Sequence, residues 1–175
     1  MKGLLTPHAI RIVDLYDDGE ACRHFTFKPV DPNLQHTARP GQFFNLTVPG
    51  HSEAAFTYLS LPDAEGCFDA LIRTVGKLTA ALFECKKGDL LGFRGPFGNG
   101  GWPMAQLHGK RVLFLAVGCG LPPLASAIDT LLADSKSSIA LLYGARTAHA
   151  QVLKRERAAW GKVMPIIDSV DSGSG

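Results

Sequence analysis

The hydrophobic rhythm of this chain changes once, near residue 109, and that change limits the folds open to it. Before it, apolar and polar residues alternate over short runs: Ile10, Ile12 and Leu15, then Phe25 and Phe27, then residues 43–48, 56–61, 67–73 and 90–94. Turn formers such as Pro40-Gly41 and Pro49-Gly50 separate the runs. A period of two predicts antiparallel strands with one buried face, and six such strands predict a closed barrel. One helix is expected among them. Leu78, Ala81, Leu82 and Cys85 recur at helical spacing, and Lys86-Lys87-Gly88 supplies the residues that stop a helix.

Beyond residue 109 the pattern is different. Residues 112–117 and 139–143 are continuous apolar runs, 122–133 and 148–160 read as helices, and 163–167 as a further strand. That order is β-α-β-α-β, which predicts a parallel sheet with crossover helices. The stretch 95–103, Gly-Pro-Phe-Gly-Asn-Gly-Gly-Trp-Pro, is too rich in glycine and proline for a regular element. The expected domains are therefore 1–107, a barrel, and 108–175, an α/β domain. Three strands are about half of a doubly wound nucleotide domain, so the second reads as C-terminally incomplete.

With 175 residues and 46% hydrophobic composition, the chain can bury a real core. Its 18 basic and 16 acidic residues leave a net charge of +2, too small to expect nucleic acid or an anionic membrane as partner. Cys22, Cys67, Cys85 and Cys119 are too scattered for a metal or iron–sulfur motif, and the six histidines form no i,i+4 pair. There is no cationic apolar leader and no long apolar run, so a cytoplasmic location with free thiols is expected, or a plastid if the natural chain has a further N-terminal segment.

Two glycine turns stand where a strand pattern gives way to a helical one: Arg73-Thr74-Val75-Gly76-Lys77-Leu78-Thr79 and Val117-Gly118-Cys119-Gly120-Leu121-Pro122-Pro123. Unpaired amides and partial positive charge at a helix N-terminus favour phosphate, so two such turns point to two phosphate-bearing ligands. Arg73 is a candidate clamp for a pyrophosphate. The Thr79 hydroxyl can donate to phosphate or stabilise the first helical turn. Cys119 can approach a ligand ring or serve as a small apolar residue.

Four phrases in order, Arg39-Pro40-Gly41-Gln42-Phe43-Phe44, Ala55-Phe56-Thr57-Tyr58-Leu59-Ser60, Ile72 to Thr79, and Gly95-Pro96-Phe97-Gly98-Asn99-Gly100, resemble the ferredoxin-NADP reductase superfamily. Within it the chain looks most like hydrogenase gamma subunits, dihydroorotate dehydrogenase electron-transfer subunits and stand-alone relatives of plants and algae. The resemblance implies a Greek-key barrel binding FAD, followed by an NAD(P)-binding domain. It implies that Phe56, Thr57 and Tyr58 line the flavin, and that Arg73, Val75, Gly76, Lys77 and Thr79 hold its pyrophosphate. It gives Gly118, Cys119 and Gly120 to the nicotinamide cofactor and Arg146 to its adenosine ribose. The chain departs from the family at Ala54, where many members carry a phosphate-binding arginine, and at Pro122, which stands beside the usual proline and removes an N–H.

These readings imply a flavin-dependent oxidoreductase passing reducing equivalents between NAD(P)H and an acceptor protein or subunit. No protein acid or base is needed for that transfer, so no catalytic residue is named. NADH against NADPH and FAD against FMN stay open. The alternative is a flavin-binding or partner-binding module of an electron-transfer complex with little turnover alone. A third reading keeps the fold for assembly without cofactors.

Overall fold

The computed structural model describes residues 6–34, 36–99, 101–134 and 136–171. Strands β1 (His8–Asp17), β2 (Cys22–Pro29), β3 (Phe43–Thr47), β4 (Glu53–Thr57), β5 (Phe68–Arg73) and β6 (Leu90–Phe97) form one antiparallel sheet in the order β4-β3-β6-β1-β2-β5. Alternate residues point inward, and Ile10, Ile12, Phe25, Phe27, Phe44, Leu46, Phe68 and Phe93 make the core. A bulge between Ile12 and Asp14 moves the inward phase, which is why the apolar rhythm passes from Ile12 to Leu15. The two edges of the sheet meet where the Leu59 N–H donates to the Asp69 carbonyl at 2.8 Å, curling the sheet into a barrel. Helix α1 (Lys77–Glu84) follows β5 and buries Leu78 and Leu82 against this core.

After the short helix α2 (Met104–Leu107) come β7 (Arg111–Val117), a 3-10 turn (Gly118–Gly120), α3 (Pro122–Ala133), β8 (Ser138–Ala145), α4 (Lys154–Trp160) and β9 (Ile166–Val170). The strands are parallel in the order β7-β8-β9. Moving one way along the sheet by right-handed crossovers puts both helices on one face. There Ala125, Ile128 and Leu131 of α3 and Trp160 of α4 cluster with Phe114, Ala116, Leu141 and Tyr143. Trp160 Nε1 also donates to Asp129 at 2.7 Å, satisfying its one polar atom. The fold is thus the expected one: a six-stranded antiparallel sheet, then a three-stranded parallel sheet with helices. No helix among the described residues is long and apolar enough to cross a membrane.

Several boundaries differ from the sequence reading. The strand expected at 56–61 is β4, three residues earlier. Its Glu53 accepts from Asn45 Nδ2 at 2.8 Å and pairs with Arg94, which ties that end to β3 and β6, whereas beyond Thr57 the chain crosses towards β5. The strand expected at 90–94 runs on to Phe97, through a cis Gly95-Pro96 bond. The helix expected over 148–160 forms only as α4. Upstream of it the Asp18 carboxylate accepts from the amides of Leu153 (2.7 Å) and Lys154 (3.4 Å), the Tyr143 hydroxyl accepts from Val152 (3.0 Å), and Leu153 is left-handed at φ 56°. Partners distant in sequence take the amides that a helix would have used. The strand expected at 163–167 begins at Ile166, because Val163 and Met164 still donate to the Trp160 carbonyl.

Candidate functional site

The first glycine turn is open. Val75 is 79% exposed, and a methyl group placed on Gly76 would meet no atom within 4 Å. Thr79 organises the turn from within: its Oγ1 accepts from the amides of Val75 (2.9 Å) and Gly76 (3.0 Å) and donates to the Gly76 carbonyl (3.0 Å). That hydroxyl is buried and engaged, so of its two expected roles the structure shows the turn-stabilising one. The first intrahelical bond of α1 runs from the Ala80 amide to the Gly76 carbonyl at 2.8 Å, which leaves the amides of Lys77, Leu78 and Thr79 as the free donors of a helix start. Close by, the Thr74 hydroxyl oxygen is buried without a hydrogen-bond partner among the described residues. Free amides and open space above a glycine suit a diphosphate.

From this turn a seam runs back between β5 and β4. The chain just past β4 meets β5 at Leu59 and Asp69, where Ser60 Oγ and the Asp69 carboxylate are 2.7 Å apart, and β4 and β5 share no ladder among the described residues. The free edge of β4, which carries Phe56 and Thr57, faces the free edge of β5, which carries Leu71 and Arg73. Phe56 and Thr57, both partly exposed, therefore lie along the seam, with Phe56 resting on Phe44 at a centroid distance of 6.5 Å. Tyr58 does not join them. It is 1% exposed, packed at 4.7 Å from Phe44 and 5.2 Å from Phe68, so the expected flavin-lining position is a core residue. The reason is the crossing of the chain from β4 to β5, which takes Tyr58 into the barrel.

The second turn follows β7. Gly118 has φ +50°, the left-handed region that glycine adopts without strain, and space is open above both Gly118 and Gly120. Pro122 and Pro123 open α3, so its first turn offers fewer donors than usual. The Leu121 amide is occupied by the Gly118 carbonyl at 3.3 Å, and a phosphate here would depend on the amides of the glycine turn. Trp102 fixes the helix start against the glycine-rich stretch, its Nε1 donating to the Pro123 carbonyl at 3.0 Å. Arg146 lies exposed just beyond the end of β8, the strand that pairs with β7 beside this turn.

The two turns converge. Arg73, opposite Cys22 in the β2–β5 ladder, stands near enough to Cys119 for its charge to act on the thiol, and the sulfurs of Cys22 and Cys119 are 3.6 Å apart. The pyrophosphate candidate of the barrel thus stands beside the nucleotide candidate of the parallel sheet. The hydrogen bond shared with Cys22 and the guanidinium of Arg73 push the Cys119 thiol down to about 6. Cys22, which shares that bond and is buried, is pushed up. Cys22 is not marked by any sequence motif, because its partner Cys119 comes from the other sheet.

Residues 12–102, just over half of the chain, match the family described as oxidoreductase FAD-binding domain. Sulfhydrogenase 1 subunit gamma of Pyrococcus furiosus is 36% identical over 121 residues, covering 68% of this chain and 41% of that protein. A probable dihydroorotate dehydrogenase B (NAD(+)) electron transfer subunit from the same organism is 32% identical over 165 residues, covering 94% of this chain and 60% of that one. The chain spans about half the length of the curated relatives it matches. In fold, it superposes on the ferredoxin reductase in carbazole 1,9a-dioxygenase with a TM-score of 0.83 at 19% identity, over 97% of this chain and 53% of that one. An NADH-dependent reduced ferredoxin-NADP oxidoreductase gives 0.79 at 23% identity, over 100% of this chain and 60% of that one. The chain belongs to the FAD-binding oxidoreductases of the ferredoxin-NADP reductase type, related to hydrogenase gamma subunits and dihydroorotate dehydrogenase electron-transfer subunits.

Proposed function

We propose that the chain binds FAD in the β4–β5 seam and passes reducing equivalents from NAD(P)H, bound at the second glycine turn, to an acceptor protein or subunit. The observation that carries this is the helix start of α1, with free amides at residues 77–79 and open space above Gly76, just after Arg73 at the end of β5. Those amides and Arg73 hold a diphosphate, and Phe56 and Thr57 wall the ring system. FAD, when bound, accepts hydride from a nicotinamide and releases electrons singly or in pairs. The protein's part is alignment: Gly118, Cys119 and Gly120 present a dinucleotide across from Arg73, and Arg146 receives the adenosine ribose. Residues 1–107 act as the flavin domain and 108–175 as the nucleotide domain. The names of the relatives, a gamma subunit and an electron transfer subunit, support an acceptor that is itself a protein subunit.

An absorbance spectrum of the purified chain tests this, taken before and after anaerobic NADPH or NADH. A yellow protein that bleaches with either nucleotide is expected, and a colourless protein whose melting temperature ignores added FAD would end the proposal. One observation favours a second reading, a flavin-binding module completed by a partner: Leu113, Leu115 and Val117 are 61%, 63% and 75% exposed on the bare face of the parallel sheet. Yellow protein that neither nucleotide bleaches is its signature.

A further inference from the structure

Cys22 and Cys119 are remote in sequence, 97 positions apart, and belong to different sheets, yet their sulfurs are 3.6 Å apart. One is buried at the start of β2 and the other is exposed in the glycine turn. Covalent S–S contact requires about 1.5 Å of further approach. The turn has the freedom for it: Gly118 and Gly120 flank Cys119, and nothing lies within 4 Å of where a side chain on either would begin. An exposed thiol beside an arginine, backed by a buried second thiol, is the arrangement of an attacking and a resolving cysteine. Cys67 and Cys85 have no such arrangement. Burial raises both thiols, and neither lies against another cysteine among the described residues.

We propose that Cys22 and Cys119 form a reversible disulfide that locks the nucleotide turn to the barrel, with a low-molecular-weight disulfide as oxidant. The Cys119 thiolate attacks one sulfur of the small disulfide, forming a mixed disulfide and expelling one small thiolate. Cys22 then loses its proton and attacks the Cys119 sulfur, forming the protein disulfide and expelling the second thiolate. Two protein thiols are oxidised, one small disulfide is reduced to two thiols, and excess small thiol reverses both steps. The bond bridges the Arg73 side of the barrel and the glycine turn, so it fixes the position of the loop that faces the flavin domain. A cross-link between residues so far apart in sequence also constrains the unfolded chain, and the oxidised protein melts at a higher temperature than the reduced one.

The magnitude decides what to measure. A thiol lowered to about 6 is mostly thiolate at neutral pH, but its nucleophilicity falls with its basicity, so the gain over an ordinary exposed thiol is only about two- to threefold. The product, not the rate, is therefore diagnostic. The purified chain is incubated with oxidised glutathione, and its mass and non-reduced peptide map are recorded. The wild type is expected to lose two hydrogens, carry a Cys22–Cys119 cross-linked peptide and revert with reduced glutathione. Cys22→Ser is expected to stall with glutathione on Cys119, and Cys119→Ser to form neither product. Glutathione persisting on Cys119 in the wild type without the cross-link would overturn the proposal, as would modification of Cys67 or Cys85 ahead of Cys119. The wild-type map decides alone if a variant fails to fold, and the covalent readout is independent of whether flavin or nucleotide binds.

Discussion

Gly76 separates a structural requirement from a binding one. Its φ of −171° is extended backbone that any residue adopts, and the space above it is empty, so the fold does not require glycine there. It is also the N-cap of α1, where serine is among the favoured residues because its hydroxyl accepts from the amides of the first turn. Those are the donors that a diphosphate needs. Gly76→Ser is therefore expected to leave stability unchanged or raise it by a few tenths of a kcal/mol, while flavin retention through gel filtration falls severalfold. Equal retention in the variant would take the diphosphate away from this turn. His36 makes a second test. Its ring is enclosed by Phe68 (5.2 Å), Phe93 (5.1 Å) and Tyr58 (6.4 Å), and burial holds it below the usual imidazole range. The unfolded chain takes up a proton near the ordinary value, about 6.5, that the folded chain refuses until lower pH. The stability from this group is thus complete above that value and is lost as pH falls towards the lowered one. Urea midpoints measured from about pH 7.5 to about pH 5 should fall less steeply in His36→Phe than in the wild type, and equal slopes would rule the role out. What the sequence makes legible at this scale is residue type. Both glycine turns fall between a strand and a helix, as their pattern suggests, whereas the burial of Tyr58 and the pairing of Cys22 depend on chain crossings that no local pattern encodes.

At the scale of elements, periodicity finds strands and helices wherever the burial is local, and misplaces them wherever a distant partner claims the backbone. β5 and α1 lie within a residue of expectation, since their apolar faces meet the barrel beside them. The helix expected over 148–160 loses its first half to Asp18, a buried side chain more than a hundred residues away. Asp18 thus acts as a clasp between the β1–β2 turn and the approach to α4. Removing it with Asp18→Ala leaves the Leu153 amide buried and unpaired, a cost of about 1–3 kcal/mol. The loss should appear as a lower urea midpoint together with faster amide exchange across residues 147–153, and unchanged exchange there would show that the clasp does not hold the segment.

For the whole molecule, the decisive imbalance is between the two faces of the parallel sheet. One face is covered by α3 and α4, whereas the other presents Leu113, Leu115 and Val117 of β7 with Leu142 of β8 and Ile167 of β9, all well exposed. Contiguous apolar surface of this kind drives association in water, so a concentrated solution of the chain is expected to self-associate through that face. Leu115→Glu puts a charge at its centre without touching the core, because the neighbours Phe114 and Ala116 point the other way into the helices. If the face is free, the variant should sediment as a smaller species than the wild type at equal concentration. Its monomer stability should stay within about 0.5 kcal/mol of the wild type, as for other exposed substitutions. A loss of several kcal/mol would mean instead that Leu115 is packed in the folded monomer. The same variant would then fail to assemble with whatever segment or subunit covers the sheet, which separates a self-sufficient reductase from a module that is completed by its partner.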